Sequence, residues 1–219
     1  MTAIVIAVSQ SKGGCAKTTT SVNLAGALNE FNVNTALIDW DINKPDAIKW
    51  RDQGNCLDWI VAVDEKNPKG FVDEMKKKYQ IIIFDTPPNL ERKAFEAVLC
   101  SDYVIIPSST NFLDNNNTHE AIQLPLMANK PFKILMSRIK SSTSDGREVK
   151  NEVKDQDITF KEVITDRYVL AQCPESGQWI GEYAKKSDSH KQFLNLAQEV
   201  LAWIAFSNLT SNKKILEAV

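Results

Sequence analysis

Six short apolar runs, separated by segments with helical patterns, constrain the fold of this chain more than any other feature. Two of them, IIIF at 81–84 and VII at 104–106, are entirely apolar, as is typical of strands buried on both faces of a sheet. Strands that alternate with helices indicate a parallel sheet with helices on both sides. The sequence therefore predicts a single-domain α/β fold with a mainly parallel, twisted β-sheet. The predicted strands are 3–9, 35–39, 59–63, 80–85, 103–107 and 132–137, and the predicted helices are 21–30, 46–53, 71–79, 94–99, 114–128 and 149–154.

The end of the chain has a different pattern. After Thr165 the sequence predicts irregular structure around CPESG at 173–177, followed by an amphipathic helix at 193–206 whose apolar residues share one face. Residues 208–219 are largely polar, and we expect them to fray. The sequence thus predicts one domain over 1–207 and a polar C-terminal tail over 208–219.

Composition excludes several classes of protein. Hydrophobic residues make up 43% of the 219 residues and charged residues 25%, which is typical of a globular chain and not of a disordered one. A formal net charge of -2 argues against a strongly basic nucleic-acid binder, although a local basic patch is compatible with it. No apolar run approaches the roughly 18 residues that cross a bilayer. The chain opens directly on a predicted strand, without a secretory leader, so we expect a cytoplasmic protein.

The cysteines do not form a metal-binding pattern. No C-x-x-C pair is present, and the two histidines are far apart in sequence. Scattered thiols without a leader fit a reducing compartment. The four cysteines are Cys15, Cys56, Cys100 and Cys173.

The stretch SKGGCAKTTT at 11–20 lies between the first predicted strand and the first predicted helix. Backbone N–H groups of such a loop, with the helix N-terminus, can bind phosphate. Gly13 and Gly14 allow close backbone approach, Lys17 would reach the β- and γ-phosphates, and the Thr18 hydroxyl would bind Mg²⁺. The strict pattern G-x-x-x-x-G-K-[ST] fails at Ser11 and Ala16. The sequence therefore predicts a variant phosphate loop, in which the nucleotide contacts are made by Lys12, Gly13, Gly14, Cys15, Ala16, Lys17, Thr18 and Thr19.

Three acids follow predicted strands. Asp39 and Asp41 end LIDWD at 37–41, and Asp85 ends IIIFD at 81–85. Acids at the carboxyl ends of parallel strands lie where α/β proteins bind ligands. Each one alone could cap a helix, but together with a phosphate loop they indicate a site for nucleotide and Mg²⁺, with Asp85 in the Walker B position.

The motifs KGGCAKTT, IDWD, IIIFDTPP, DYVIIP at 102–107 and LAQCPESG at 170–177 occur in an order that resembles the deviant Walker A ATPases, a group of P-loop NTPases. Within them the chain is similar to the ParA-type partition ATPases of the ParA/MinD group. The resemblance implies ATP hydrolysis with Mg²⁺ and a homodimer that sandwiches two ATP molecules. It also implies a switch on and off DNA, by which a plasmid, chromosome or other cargo is segregated, and a ParB-like or other adaptor protein that stimulates hydrolysis.

The resemblance also implies roles for single residues. Lys12 matches the signature lysine that contacts nucleotide across the dimer interface, and Lys17 matches the phosphate-binding lysine of the same subunit. Asp41 matches the acid that positions the attacking water, so Lys12, Lys17 and Asp41 are the predicted catalytic residues. Thr18, Asp39 and Asp85 are the predicted metal site. Arg138 follows a strand where relatives contact adenine, and it is a candidate for base stacking or an ordinary surface arginine.

Two departures from the family pattern stand near the site. Ile42 and Asn43 follow Asp41 where many relatives have proline and glutamine. Ala16 replaces a glycine, which is compatible with binding if φ at this residue is negative. The second departure puts the turnover rate in doubt more than the fold.

Sequence-independent DNA binding requires basic residues that contact phosphates on one face. Acids interleave with the basic residues of the C-terminal half, and Val169 stands where relatives often have a basic residue. The patch is weak, and an ordinary mixed surface is an equal alternative. Its candidate residues are Lys140, Arg147, Lys150, Arg167, Lys185 and Lys186. If this patch binds DNA, the ATP-bound protein would associate with the nucleoid.

Two other functions fit the same scaffold. A MinD-like ATPase that cycles on membranes needs a basic amphipathic C-terminal helix, and NKKILEAV at 212–219 has few apolar anchors. We therefore expect no membrane partner. A metabolic or metal-cluster enzyme would need paired cysteines at a dimer interface, and the spacing of the cysteines does not suggest them.

Overall fold

A computed structural model describes residues 3–88, 92–109, 122–140 and 157–217, with the side chains of the last helix described through residue 207. Six strands form one sheet in which every pair is parallel, with the order β3-β2-β4-β1-β5-β6. The predicted α/β fold and its six strands are confirmed, with ends that differ by at most one residue. The strands are β1 Ile4–Val8, β2 Thr35–Asp39, β3 Ile60–Ala62, β4 Ile81–Asp85, β5 Tyr103–Ser108 and β6 Phe132–Met136.

Helices cover both faces of this sheet. One face packs on α1, α2 and the three C-terminal helices, with Phe193, Leu196 and Val200 fully buried there. The other face packs on α3 and α4 through residues such as Val72 and Val98. The helices are α1 Lys17–Glu30, α2 Asp46–Arg51, α3 Pro68–Lys76, α4 Arg92–Leu99, α5 Tyr168–Ser176, α6 Ile180–Tyr183 and α7 Asp188–Glu217.

The central strands bring their carboxyl ends together. Val8 and Asp39 are both register partners of Asp85, because β4 lies between β1 and β2. The loop after β1 and the acids after β2 and β4 therefore meet at one edge of the sheet.

Two predictions for the C-terminal part were wrong. The segment around CPESG is helical, since α5 runs from Tyr168 through Pro174 to Ser176 and ends at Gly177 with φ 62°. Burial of Leu170 and Cys173 outweighs the local cost of a proline inside a short helix. The last helix runs from Asp188 to Glu217, beyond the predicted bounds of 193–206, and the division into a domain and a C-terminal tail stays a prediction.

Other predicted helix boundaries shift or lie outside the described residues. The helix expected from residue 21 begins at Lys17, and the one expected at 71–79 begins at Pro68, where the Asn67 side chain accepts a hydrogen bond from the Gly70 N–H at 3.1 Å. Of the predicted helix 114–128, residues 122–127 are helical and residue 128 lies in a turn. Residues 114–121 lie outside the described residues. The predicted helix 149–154 lies outside them as well.

Candidate nucleotide and magnesium site

The phosphate loop connects β1 to α1 and leaves its glycines open to solvent. Gly14 has φ 75°, and a Cβ added at Gly13 or Gly14 would meet no atom within 4 Å. The loop closes on the first turn of α1, where the Thr20 N–H donates to the Ala16 carbonyl at 2.9 Å. A ligand can therefore approach the backbone of this loop closely.

Ala16 adopts a left-handed conformation, with φ 64° and ψ 31°, at the position before α1. The negative φ under which alanine would fit this position without strain is therefore not found. A residue with a Cβ is strained here, by about 1–2 kcal/mol relative to glycine, because the methyl group approaches the following carbonyl. The glycine that relatives have at this position thus meets a backbone requirement that Ala16 satisfies only under strain.

Lys17 is the first residue of α1 and is 8% exposed. Its Nζ donates to the Lys12 carbonyl at 3.3 Å, so the side chain folds back along the loop. Burial lowers the pKa of this ammonium, and the nearby Asp85 carboxylate opposes that shift. A buried cation beside an open loop is suited to hold the charge of a phosphate group.

Asp85 connects β4 to the first turns of α1. The Thr18 hydroxyl donates to its Oδ2 at 2.7 Å, and the Ser21 hydroxyl donates to its Oδ1 at 3.1 Å. Burial, with the charge of Asp39 adding to it, raises the pKa of Asp85 to about 7, while the two hydroxyl donors oppose the shift. Ser21 was not predicted as a site residue, although its i,i+3 spacing from Thr18 places both hydroxyls on one side of the helix.

Asp39 ends β2, and only 2% of it is exposed. Its Oδ1 accepts from the Asp41 N–H at 3.1 Å, and its Oδ2 accepts from the N–H groups of Ala47 and Ile48 at 3.0 and 3.1 Å. Burial raises the pKa of Asp39 to about 6 against the pull of these donors. Its metal role stays a prediction, and the three backbone donors offer a second explanation for an acid at this position.

Asp41 and Arg138 approach the loop from two other sides. The Oδ1 of Asp41 accepts from the Lys44 N–H at 3.0 Å. Arg138 has φ 58° and donates from Nη1 to the Gly14 carbonyl at 2.9 Å. Arg138 thus contacts the phosphate loop and Asp41 lines the same cavity, while the predicted roles in water positioning and adenine contact stay predictions.

These groups surround a cavity of about 430 Å³. It brings together most of the predicted site residues, whereas Lys12, Cys15 and Asp39 do not line it. Other lining residues were not predicted to contact the nucleotide, among them Ile164, Thr165, Asp166, Leu170, Ala171 and Phe193. The predicted site residues that line it are Gly13, Gly14, Ala16, Lys17, Thr18, Thr19, Asp41, Asp85 and Arg138.

Four of the predicted DNA-binding residues, Lys140, Arg167, Lys185 and Lys186, lie in the described part of the chain. Arg167 lies at the nucleotide cavity, and its guanidinium pairs with Asp188 at 2.9 Å. Lys185 and Lys186 are exposed between α6 and α7. Lys140 is exposed after β6, whereas Arg147 and Lys150 lie outside the described residues. A DNA role for these residues stays a prediction.

The described residues offer neither a further metal site nor a membrane span. Within them, no group of three or more histidine, cysteine or acidic side chains could hold a metal ion by itself. In the same part of the chain, no helix has the length and apolar character of a membrane span.

The strand order, with the loop after β1 facing the acids after β2 and β4, makes this chain a P-loop NTPase. A sequence model of a family described as an AAA domain matches residues 3–56 and 60–124, more than half of the chain. The chain belongs to that family and, within it, to the ParA/MinD-type deviant Walker A ATPases that partition or position cellular cargo. The predicted family is thereby confirmed.

Similar proteins cover nearly the same length. The chain is 26% identical to the sporulation initiation inhibitor protein Soj of Bacillus subtilis, over 90% of this chain and 98% of Soj. It is also 26% identical to the maintenance of carboxysome distribution protein A of Gloeobacter kilaueensis, over 90% and 93% of the two chains.

Solved structures share the fold at lower identity. The septum site-determining protein MinD of Pyrococcus horikoshii, complexed with Mg-ADP, has a TM-score of 0.73 at 19% identity, over 93% of this chain and 98% of MinD. A putative plasmid partition protein of Borrelia burgdorferi, bound to AMPPNP, has a TM-score of 0.73 at 20% identity, over 91% and 99%.

Proposed function

We propose that this protein is an ATP-dependent partition ATPase whose ATP-bound dimer binds DNA without sequence preference and is released by hydrolysis. The observation that supports it best is the cavity in which Lys17, Asp41 and the Thr18–Asp85 pair face one open phosphate loop. The cargo could be a plasmid, a chromosome or a protein compartment. A cytoplasmic location and ATP-dependent association with the nucleoid belong to the same proposal.

The residues fit ATP with Mg²⁺. Thr18 and Asp85 offer the hard oxygen atoms that Mg²⁺ prefers, and Mg²⁺ is commonly held by one or two protein groups together with substrate phosphates. When bound, Mg²⁺ would neutralise charge on the phosphate oxygens. Lys17 and the loop N–H groups would hold the phosphates, and Asp41 would orient a water molecule at the cavity. Positioning and charge stabilisation then account for most of the catalysis.

Lys12 is assigned to the partner subunit's nucleotide. Lys12 is exposed, and it does not line the cavity of its own chain. Both observations support a role across an interface. We expect Lys12→Ala to abolish ATP-dependent dimerisation, measured by light scattering after size exclusion, and to lower ATP turnover. Lys66→Ala, at another exposed lysine, is the matched control. Normal dimerisation and turnover in Lys12→Ala would refute the sandwich assignment.

DNA binding is tested by retention of random duplex DNA at low salt, with and without ATP and Mg²⁺. We expect retention only with ATP, since a dimer doubles a weak basic patch, and we expect it to decrease with salt. Lys185→Glu with Lys186→Glu should weaken it more than Lys66→Glu with Lys69→Glu, a pair with the same change in net charge. Equal retention with and without ATP would count against the switch.

An adaptor that stimulates hydrolysis is part of the proposal. A solved complex of MinC and MinD from Aquifex aeolicus shares this fold, with a TM-score of 0.74 at 18% identity, and there the relative assembles with another protein. Genes adjacent to this one would be the first source of candidates, and stimulation of ATP turnover by the purified candidate is the assay.

A MinD-like membrane cycle is the second candidate function. Its specific support is that α7 continues to Glu217, so the segment that a membrane anchor would use is helical. Co-flotation with anionic liposomes in the presence of ATP distinguishes the two functions. Flotation without DNA retention would favour the membrane cycle.

A further inference from the structure

The Asp39 carboxylate binds the backbone of the segment that follows it. Asp39 accepts three backbone hydrogen bonds, from the N–H groups of Asp41, Ala47 and Ile48. Ala47 and Ile48 lie in the first turn of α2, where a helix leaves its N–H groups without partners inside the helix. An acid on the sheet therefore caps a helix that begins seven residues later in the sequence.

This cap replaces one that α2 lacks. The residue before α2 is Pro45, which forms no side-chain hydrogen bond to the helix, and α2 has only 6 residues. Helices this short are marginal without outside contacts. The other end of α2 is held by Trp50, whose Nε1 donates to the Gln178 carbonyl at 3.0 Å.

Asp39 and Asp85 are register partners on neighbouring strands, yet they have different hydrogen-bond partners. Asp85 accepts from the hydroxyls of Thr18 and Ser21, at the cavity. Asp39 does not line the cavity and accepts from backbone N–H groups. If Asp39 turned toward a metal ion, the N–H groups of Asp41, Ala47 and Ile48 would lose their acceptor, which is costly for buried groups.

We propose that Asp39 is a positioning residue, which holds Asp41 and α2 in the geometry needed for hydrolysis, and that it does not bind Mg²⁺. The inference rests on the proposed role of Asp41. Asp41 lines the cavity, and its backbone N–H is fixed by Asp39 two residues earlier. Loss of that bond would displace the Asp41 carboxylate from the reacting phosphate.

The kinetic test compares Asp39→Asn, Asp41→Ala and the double variant. Asparagine keeps the size of the side chain but turns one acceptor into a donor that faces N–H groups. We expect Asp39→Asn to lower kcat by roughly tenfold to a hundredfold while KM for ATP and the Mg²⁺ concentration at half-saturation stay the same. In the Asp41→Ala background, Asp39→Asn should cause no further loss, because it acts through Asp41.

Two outcomes would overturn the inference. One is a higher Mg²⁺ requirement in Asp39→Asn, which would make Asp39 a metal ligand. The other is an undiminished loss of kcat in the Asp41→Ala background. Full activity of Asp41→Ala alone is a different result, since it would refute the proposed role of Asp41 and with it the catalytic part of this inference.

Hydrogen exchange on the unaltered protein keeps the test independent of folding in the variants. We expect the amides of Ala47 and Ile48 to be protected without ligand and to stay protected with Mg²⁺ and a non-hydrolysable ATP analogue. The internal reference is the Gly70 amide in α3, which donates a hydrogen bond to the Asn67 side chain. Loss of protection at Ala47 and Ile48 on addition of Mg²⁺ and analogue would show that Asp39 has turned away, and would overturn the proposal.

Discussion

The Thr18 hydroxyl donates to the Asp85 carboxylate across 2.7 Å, which connects the first turn of α1 to the end of β4. Ser21 adds a second hydroxyl donor at 3.1 Å, and Asp85 is only 2% exposed. The hydroxyl that the family resemblance assigns to Mg²⁺ is therefore in contact with the acid in the Walker B position.

Removal of that hydroxyl should affect both stability and hydrolysis. In Thr18→Ala the buried Asp85 loses one of its two hydroxyl donors, so we expect the free energy of unfolding to decrease by about 1–3 kcal/mol. ATP turnover should be lost as well, whereas Thr18→Ser should retain most of both. Urea unfolding and an ATPase assay with Mg²⁺ measure the two effects. Unchanged stability in Thr18→Ala would mean that the hydrogen bond contributes little.

Stability should depend on pH through Asp39 and Asp85. Burial raises their pKa values in the folded protein to about 6 and about 7, from 3.8. The folded state therefore keeps protons that the unfolded chain releases near pH 4, and the stability that these protons contribute is lost as the pH rises through the folded pKa values. We expect the free energy of unfolding, without nucleotide and Mg²⁺, to decrease between about pH 4 and about pH 7. Asp85→Asn should flatten this dependence, and an equally steep slope in that variant would exclude Asp85 as its source.

The strain at Ala16 can be measured directly. Because glycine adopts a φ of 64° without a steric cost, we expect Ala16→Gly to raise the free energy of unfolding by about 1 kcal/mol. Ala202→Gly, at an exposed position inside α7, should lower it by about 1 kcal/mol, since glycine is unfavourable in an ordinary helix. The same substitution thus has opposite signs at two positions. A decrease at both would show that φ at Ala16 is not strained in solution.

Gly26 allows α1 to pack closely on Trp179. A Cβ added at Gly26 would lie 2.4 Å from the Trp179 ring, closer than real side-chain contacts. We expect Gly26→Ala to lower the free energy of unfolding by about 1–3 kcal/mol and to change the tryptophan fluorescence. Gly13→Ala, where a Cβ meets nothing within 4 Å, is the control for stability. Wild-type stability in Gly26→Ala would mean that Trp179 can move aside freely.

The cysteine thiols should differ in reactivity. Cys56 is exposed, whereas Cys173 is fully buried and burial raises its pKa to about 12. Because the thiolate is the reactive form, a disulfide reagent at pH 8 should modify Cys56 rapidly and Cys173 only after denaturation. Cys56→Ser should remove the fast phase. Rapid modification of Cys173 in the folded protein would contradict its burial.

The strands were predicted correctly because an entirely apolar run favours one arrangement, a strand buried on both faces of the sheet. A run such as IIIF cannot be exposed on either side, so burial between two helical layers follows from the residues alone. The helix around Pro174 was missed because its local signals oppose a helix, and only the burial of Leu170 and Cys173 against other elements favours it. The sign of φ at Ala16 was left open by the sequence, since a loop's φ depends on how β1 and α1 are joined in space.

The sequence by itself determined the parallel sheet, the phosphate loop and the position of three acids at strand ends, because apolar periodicity and glycine spacing are local properties. Only the tertiary structure decided which donors those acids contact. Asp39 and Asp85 both end neighbouring strands of the sheet. Hydroxyl groups of α1 donate to Asp85 on β4, whereas N–H groups from the first turn of α2 donate to Asp39 on β2. A buried carboxylate needs hydrogen-bond donors, and which donors lie within reach depends on the packing of helices that are distant in sequence.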